Sequence, residues 1–394
     1  MNFLQQSNDS FLLVPNNRVM RRDSPFYQQV MEKMGRLWGI RGPLQFNPCA
    51  NPVSLEHRHL RDLADCDYVV AEKSDGVRYA LALLELDGRT GDSIFIALMI
   101  DRNLDAFEVR VNAPADDFSS GCIFDGELVW DETNTALGRH HAFYVFDVVA
   151  HRGACVRHLP FGERHRIVRK KFANPPSDDS MSVTGMLDER IATPGSAYRL
   201  AFCSKRFFAM HQFDIVLHRH VCHSSDGYVF VPLHGAMPLN RATEWYKWKE
   251  THNIDVLVQA SWSTDESRWR VCMFYLDGDI MRDASTFETS RLRYPTDGAP
   301  VCIRLCDGNS ALGAPIAGSE TTIRHVWELA CDRIERTDAG WIVGCRLHAV
   351  RWDKSAPNNA VTIERSLASA ADAVSLDDLR RVAVEAMRKP LSDQ

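Results

Sequence analysis

The sequence predicts an α+β protein that ends in a small β-barrel, and three observations carry that expectation. Five apolar, β-rich runs follow one another between Tyr68 and Ala150, separated by polar or Gly-containing segments. Helical spacing of apolar residues is confined to a few short stretches. After Glu250, short strands recur at the spacing of a small barrel. The length of 394 residues fits two or three domains. A composition of 45% hydrophobic and 25% charged residues can bury a core, which excludes disorder over most of the chain. No stretch approaches the ~20 apolar residues of a membrane span.

Residues 1–22 read as a loosely ordered lead-in that lacks the basic start and apolar core of a secretory signal. Ser24-Pro25 offers an N-cap and a first-turn proline. Phe26, Val30, Met31, Met34 and Leu37 follow at helical spacing, so a helix is expected over about 25–38. The stretch from Gly39 to Pro52 is rich in Gly, Pro and Asn and reads as loop. The runs YVVAEK, VRYALALLEL, SIFIALMID, CIFDGELVW and HAFYVFDVVA are then expected strands with buried faces. Residues 160–172 suggest a helix with a basic face, 174–190 a surface loop, and 198–203, 224–232 and 254–260 further strands. IDVLVQASW, WRVCMFYLD, APVCIRLC, HVWELACDRI and GWIVGCRLHAVRW supply the barrel. Ser375 caps a last helix over about 376–388, with a stripe of Leu376, Leu379, Val382, Ala383 and Met387.

Lys and Arg number 46 against 52 Asp and Glu, a net charge of −6. A protein that grips long nucleic acid through many phosphates carries a basic excess, so any nucleic-acid substrate is expected to be held locally. The 11 cysteines are scattered without a C-x-x-C pair, as in a reducing compartment with free thiols.

The sharpest segment is AEKSDGVRYAL (71–81). Lys73 stands two residues before Asp75-Gly76 and five before Arg78. An ordered set follows: IDR at 100–102, FDGEL at 124–128, YVFD at 144–147, SDGYVF at 225–230, YKWK at 246–249 and RWDKSAPN at 351–358. The residue types suit phosphoryl transfer through a covalent intermediate. An amine attacks phosphorus only when neutral, and burial beside other cations favours that form; Arg78, Lys247 and Lys249 are the candidate cations. Gly76 permits a tight turn with room for a nucleotide. Lys247 and Lys249, two apart, project to one side of a strand and suit an α-phosphate.

This ordered set resembles that of the mRNA capping enzyme guanylyltransferases, in the lysine-nucleotidyl transferase superfamily that also holds the ATP-dependent DNA ligases. The resemblance runs from NPVSLEHRHLRDL (51–63) to RWDKSAPNNAVTI. It implies a nucleotidyltransferase domain of antiparallel sheets over 1–252, including an N-terminal extension and helix over 1–45. An OB-fold barrel over 253–362 and a helical tail over 363–394 would follow, with the nucleotide between the two domains. It implies that Lys73 takes GMP from GTP as a phosphoramidate and passes it to the 5′-diphosphate end of RNA, forming the GpppN cap. Arg78 and Glu127 match the ribose-holding residues and Phe146 the aromatic that stacks on the purine. FCSKRFF places Ser204, Lys205 and Arg206 where the family uses a donor on the guanine edge; of the three, Lys205 is the expected reader, a cationic donor suiting guanine O6 and N7. Lys247, Lys249, Arg351, Asp353 and Lys354 match phosphate-binding residues, and Asp226 matches the acid linked to Mg²⁺ or Mn²⁺. The partners implied are an RNA triphosphatase and a cap methyltransferase on separate chains, and the transcribing RNA polymerase. No membrane is implied. The place of action would be the nucleus, or the cytoplasm for a viral protein. Glu250 after the lysine pair and Tyr228 in SDGYVF depart from the usual pattern and bear on loop shape. An ATP-dependent polynucleotide ligase using lysyl-AMP, and a catalytically silent RNA- or polymerase-binding scaffold, are the alternative readings.

Three other signals point to structure first. HRHVCH (218–223) would place His218, His220 and Cys222 on one side of a strand, but no second ligand cluster supports zinc. RHRIVRKK (164–171) has five Lys/Arg in eight residues; it suits the solvated face of a helix, an RNA-facing patch or a nuclear signal. Cys302 and Cys306 lack histidine support and read as barrel residues.

Overall fold

The computed structural model describes residues 19–88, 90–109, 111, 113–131, 140–172, 191–192, 199–286, 301–306, 322–338, 340–351 and 354–388. Residues 1–18 of the lead-in, the 174–190 loop and Asp353 therefore lie outside the described residues. In chain order the helices are α1 (Pro25–Trp38), α2 (Leu60–Asp65), α3 (Ala115–Ser120), α4 (Phe161–Lys171), α5 (Phe213–His218), α6 (Ala360–Ala371) and α7 (Leu376–Met387). The strands are β1 (Asn51–Ser54), β2 (Tyr68–Ser74), β3 (Val77–Asp87), β4 (Ser93–Ile100), β5 (Ala106–Val109), β6 (Cys122–Asp131), β7 (His140–His151), β8 (Ala154–Cys155), β9 (Ile191–Ala192), β10 (Arg199–Ser204), β11 (Phe208–Ala209), β12 (Ser225–Pro232), β13 (Arg241–Lys249), β14 (His252–Ser263), β15 (Arg268–Asp277), β16 (Ile280–Asp283), β17 (Val301–Leu305), β18 (Thr322–Thr337) and β19 (Gly340–Val350).

The described residues divide into two compact units. The first takes those of Phe11–Trp248 and Leu376–Gln394, the second those of Lys249–Ser375. Two sheets build the first unit. One runs β5-β4-β3-β6-β7-β10-β9 with β8 against β7, and the other runs β1-β13-β12-β2-β11. Antiparallel pairing dominates, with two parallel exceptions: β10 lies parallel to β7, and β1 parallel to β13.

Helix α1 forms as the sequence requires. The Ser24 hydroxyl accepts from the Tyr27 N–H at 3.1 Å, and Gly39 ends the helix in the left-handed region at φ 71°. Its buried face (Val30, Met31, Met34, Leu37, Trp38) packs with Ala80, Ala82, Leu84 and Leu86 of β3, so by strand alternation the helix lies on the sheet face that also carries Arg78 at the start of the strand. The opposite register of β3 joins a second cluster through Tyr79, Leu81 and Leu83. Both faces of β3 are thus apolar over its middle, which is why it reads as a continuous hydrophobic run.

The second unit is a single sheet, β16-β15-β14-β18-β19-β17, in which only β17 and β19 run parallel. Among the described residues the sheet is open, with β16 and β17 at its two ends, so the expected barrel closure is not seen. Helix α6, which periodicity did not reveal, packs Ile363 and Leu367 into this unit's core. Asn359 caps it, accepting from the Thr362 N–H at 2.9 Å. Helix α7 buries Leu379, Val382 and Ala383 in the first unit, where Asp378 lies 3.5 Å from His57. The 363–394 segment is therefore shared between the two units.

Candidate active site

Strand β2 is built from Val69, Val70 and Ala71, all buried, and ends at Lys73 and Ser74, where the chain turns through Asp75-Gly76 into β3. A Cβ on Gly76 would stand 2.3 Å from the Leu128 carbonyl oxygen of β6. The turn needs glycine because a neighbouring strand presses on it, a reason different from the nucleotide clearance expected. Lys73 Nζ donates to Asp226 Oδ1 at 2.8 Å, and each side chain keeps about a quarter of its surface, 24% and 27%. Asp226 reaches it because the β12–β2 register shifts between Ser225 and Tyr228, and such an irregularity re-aims a side chain.

Arg78 and Glu127 face each other across β3 and β6. Arg78 makes a two-pronged contact with the buried Asp125 at 2.9 and 2.5 Å and donates to the Ala50 carbonyl at 2.8 Å. Its guanidinium lies 5.3 Å from the centre of the Phe146 ring. Asp125, in the FDGEL segment, was not singled out from sequence, yet it fixes the arginine. Desolvation pushes the Glu127 carboxyl up to about 7, against the opposing pull of Arg78, Lys73 and Lys205.

Phe146 is half-buried on β7, and the next residue, Asp147, points into the core. Asp147 and Arg164 form a bidentate pair at 2.9 and 3.0 Å with no exposed side-chain surface on either. Arg164 also donates to the Leu159 carbonyl, and to that of Gly235 at 3.0 Å. It therefore leaves the basic helix face to which spacing had assigned it. Lys171 leaves it too, bound to Asp117. Arg166, Arg169 and Lys170 remain on the exposed side.

Lys205 is buried. Its ammonium donates to Ser74 Oγ at 2.6 Å and lies 3.2 Å from Glu72 Oε1. Its peptide N–H bonds to the Val145 carbonyl at 2.7 Å, and its carbonyl meets His165 Nε2 at 2.9 Å. His223 Nε2 lies 2.8 Å from Ser74 Oγ. The expected strand over 218–223 is absent: His218 ends α5, and 219–224 is irregular. No group of three or more His, Cys, Asp or Glu side chains placed to hold a metal occurs among the described residues.

Lys247 lies on β13, the strand beside β12. Its neighbour Tyr246 donates to Asp62 at 2.7 Å and stacks on His59 with ring centres 4.5 Å apart, which anchors the strand. Lys249 ends β13 and opens the second unit. Arg351 and Lys354 belong to that unit, where both bind Asp255, the arginine at 3.1 Å. The Asn358 amide closes the cluster on the same carboxylate at 3.3 Å. The structure thus assembles Lys73, Arg78, Glu127, Phe146, Lys205 and Asp226 in the first unit. Arg351 and Lys354 form a separate group in the second.

A family model described as "mRNA capping enzyme, catalytic domain" matches residues 13–251. The chain belongs to the mRNA capping enzyme family. It is similar to the mRNA-capping enzyme subunit alpha of Neurospora crassa, 38% identical over 128 residues, which is 30% of this chain and 30% of that protein. It is similar to the mRNA-capping enzyme of Danio rerio, 27% identical over 211 residues, 52% of this chain and 33% of that one. The similarity to the subunit alpha of Kluyveromyces lactis, at 24% identity, extends over 95% of this chain and 86% of that protein. The matches to the Neurospora and Danio proteins span about a third of each relative's length. Among solved structures, a mycobacterial DNA ligase D complexed with ATP and MES aligns over 78% of this chain and 96% of that one, at 12% identity and a TM-score of 0.38.

Proposed function

We propose that this capping-family chain is an mRNA guanylyltransferase with Lys73 as the nucleophile. The observation that carries the reading is the placement of Lys73. Its amine, paired with Asp226, shares one unit with a ribose-type carboxylate (Glu127), an aromatic ring (Phe146) and a buried lysine (Lys205). In the first step the Lys73 nitrogen attacks the α-phosphorus of GTP. The N–P bond forms, the bond to the bridging oxygen breaks, pyrophosphate leaves and the amine gives up its proton. In the second step an oxygen of the RNA 5′-diphosphate attacks the same phosphorus, the N–P bond breaks, and Lys73 takes a proton back.

Arg78, held rigid by Asp125, and Glu127 would bind the ribose hydroxyls, and Phe146 would stack on the base. Asp226 suits Mg²⁺ or Mn²⁺, because Mg²⁺ is held by one or two carboxylates completed by substrate phosphates rather than by an all-protein cage. The ion would neutralise charge developing on those phosphates. An OB-type role for the second unit, with Arg351 and Lys354 serving the outer phosphates, is carried by the family resemblance. Separate triphosphatase and methyltransferase partners, the polymerase and a nuclear site are carried by the family resemblance alone.

The test is incubation with α-labelled GTP and, separately, α-labelled ATP, followed by denaturing gel analysis. A labelled band from GTP that is released by 5′-diphosphate RNA is expected. A band from ATP alone would replace this reading with the ligase one, and no band from either would leave the scaffold.

A further inference from the structure

Glu72 precedes the nucleophile on β2, and strand alternation turns it and Ser74 to the side opposite Lys73. Both are buried, and Glu72 is only 5% exposed. Oε1 of Glu72 faces the Lys205 ammonium at 3.2 Å. Oε2 is shielded from solvent and has no hydrogen-bond donor among the described residues. The nearest cation to it is Arg219 Nη1, at 3.7 Å, which likewise makes no hydrogen bond. A buried carboxylate oxygen without a donor is costly and marks a place where a donor is missing. Lys205 has three donors, of which Ser74 and Glu72 engage two. Its bond to the Val145 carbonyl sets it beside Phe146, the ring on which a base would stack.

An ammonium with a donor to spare next to a carboxylate with an acceptor to spare matches one purine edge. Guanine presents the O6 acceptor beside two donors, the ring N1–H and the 2-amino group. Adenine presents a donor at N6 and an acceptor at N1, with no donor at C2. We propose that Glu72 is a specificity-determining residue that accepts hydrogen bonds from the N1–H and 2-amino group of guanine while Lys205 donates to O6. The inference rests on the guanylyl-transfer reading and extends it to the base edge. A polarity mismatch at both positions rejects adenine.

The experiment measures lysyl-nucleotide formation by the full chain with GTP, ITP (guanine without its 2-amino group), the triphosphate of 2,6-diaminopurine riboside (2-amino group kept, O6 replaced by a donor) and ATP. For the unaltered protein, kcat/KM for ITP is expected to fall about 10- to 100-fold below GTP, the size of one hydrogen bond to a charged acceptor. The diaminopurine nucleotide should fall further. In Glu72→Gln, folding being checked by circular dichroism, the GTP rate should drop towards the ITP rate and their ratio should approach one. A structural role for Glu72 in merely holding Lys205 would lower both rates together and keep the ratio, which overturns the proposal. Equal use of GTP and ITP by the unaltered protein overturns it without any variant, while leaving guanylyl transfer standing. No adduct with GTP at all would remove the underlying reading, and the proposal with it.

Discussion

Lys73 and Asp226 stand 153 residues apart in the chain and meet at 2.8 Å. The pair joins the end of β2 to an irregularity in β12, so it depends on the register of one strand pair. The sequence offered Arg78, Lys247 and Lys249 as candidate cations for Lys73, and the family resemblance linked Asp226 to a metal. In the folded chain the partner of the amine is the carboxylate itself. Attack on phosphorus requires this pair to part, which a nucleotide's own phosphates and their counter-ion would accomplish by competing for both members.

Lys73→Ala and Lys73→Arg are both expected to abolish the labelled adduct, because a guanidinium stays protonated and offers no lone pair. Asp226→Asn should keep the lysine but lower the adduct rate by about 100-fold or more, the usual scale for losing a positioned charged group in a catalytic step. Denaturing gels after a timed pulse of α-labelled GTP read both. Adduct surviving in either lysine variant would sink the assignment.

Glu127 gives a pH signature. Burial holds its carboxyl protonated up to about pH 7, and only the ionised form offers all its lone pairs to ribose hydroxyls. GTP affinity should therefore rise as pH passes upward through 7, and Glu127→Gln should flatten that rise. For stability the sign is opposite. The folded state keeps the proton more tightly than the unfolded one, so this group favours folding at low pH and loses that contribution as pH climbs from 4.5 towards 7. GTP binding measured from pH 6 to 8 checks the first part; an affinity that falls over this range would contradict it.

The buried Asp147–Arg164 pair should be structural in its energetics. Removing one partner leaves an uncompensated buried charge, at a cost of about 3–5 kcal/mol. Arg164→Met alone should therefore lower the melting temperature by roughly 10 °C. The double change Arg164→Met with Asp147→Leu should recover much of that loss, since apolar replacements of a buried ion pair are often neutral. Thermal unfolding of the three forms decides it; a double variant no better than the single one would show that the carbonyl contacts of Arg164 matter more than its charge.

What could be read in the sequence follows from which signals are local. Helices α1, α4 and α7 and the strands from Tyr68 to Ala150 were legible because caps and apolar periodicity belong to neighbouring residues. Helix α6 falls mostly within the helical tail expected over 363–394, but its bounds were not legible, because its start, Asn359, overlaps a segment that reads as a motif end. Lys73, Arg78 and Glu127 were legible as residue types in order. The residues that hold them were not. Asp125 for Arg78, Glu72 and Ser74 for Lys205, and Asp255 for Arg351 are contacts between distant segments with no periodic trace. The parallel pairings β7–β10 and β1–β13 are invisible for the same reason.

Arg351 and Lys354 share Asp255, which ties two motif cations to one anion. If they serve the pyrophosphate leaving group, replacing both by Ala should slow adduct formation from GTP far more than transfer from preformed enzyme–GMP, where no pyrophosphate is present. Asp255→Asn should give the same pattern in milder form by loosening both cations. Single-turnover rates for the two half-reactions test this, and equal losses in both would refute the division of labour.

The α4 face limits how RNA can be held. Of the five cations in RHRIVRKK, Arg164 is consumed by Asp147 and Lys171 by Asp117, so only Arg166, Arg169 and Lys170 are exposed. With a net charge of −6 on the whole chain, few phosphates can be neutralised at once. For single strands the slope of log affinity against log salt is roughly −0.7 per phosphate contact, so two to four contacts give only about −1.5 to −3. Replacing Arg166, Arg169 and Lys170 by Gln should flatten this slope by up to about 2 if all three touch phosphate, and leave adduct formation from GTP intact. Because these residues already point to solvent, the variant should fold normally, unlike Arg164→Met. Binding of short and long 5′-diphosphate RNAs over a salt series measures the slope directly. A steep slope that grows with RNA length and survives the triple replacement would place the RNA track elsewhere on the molecule.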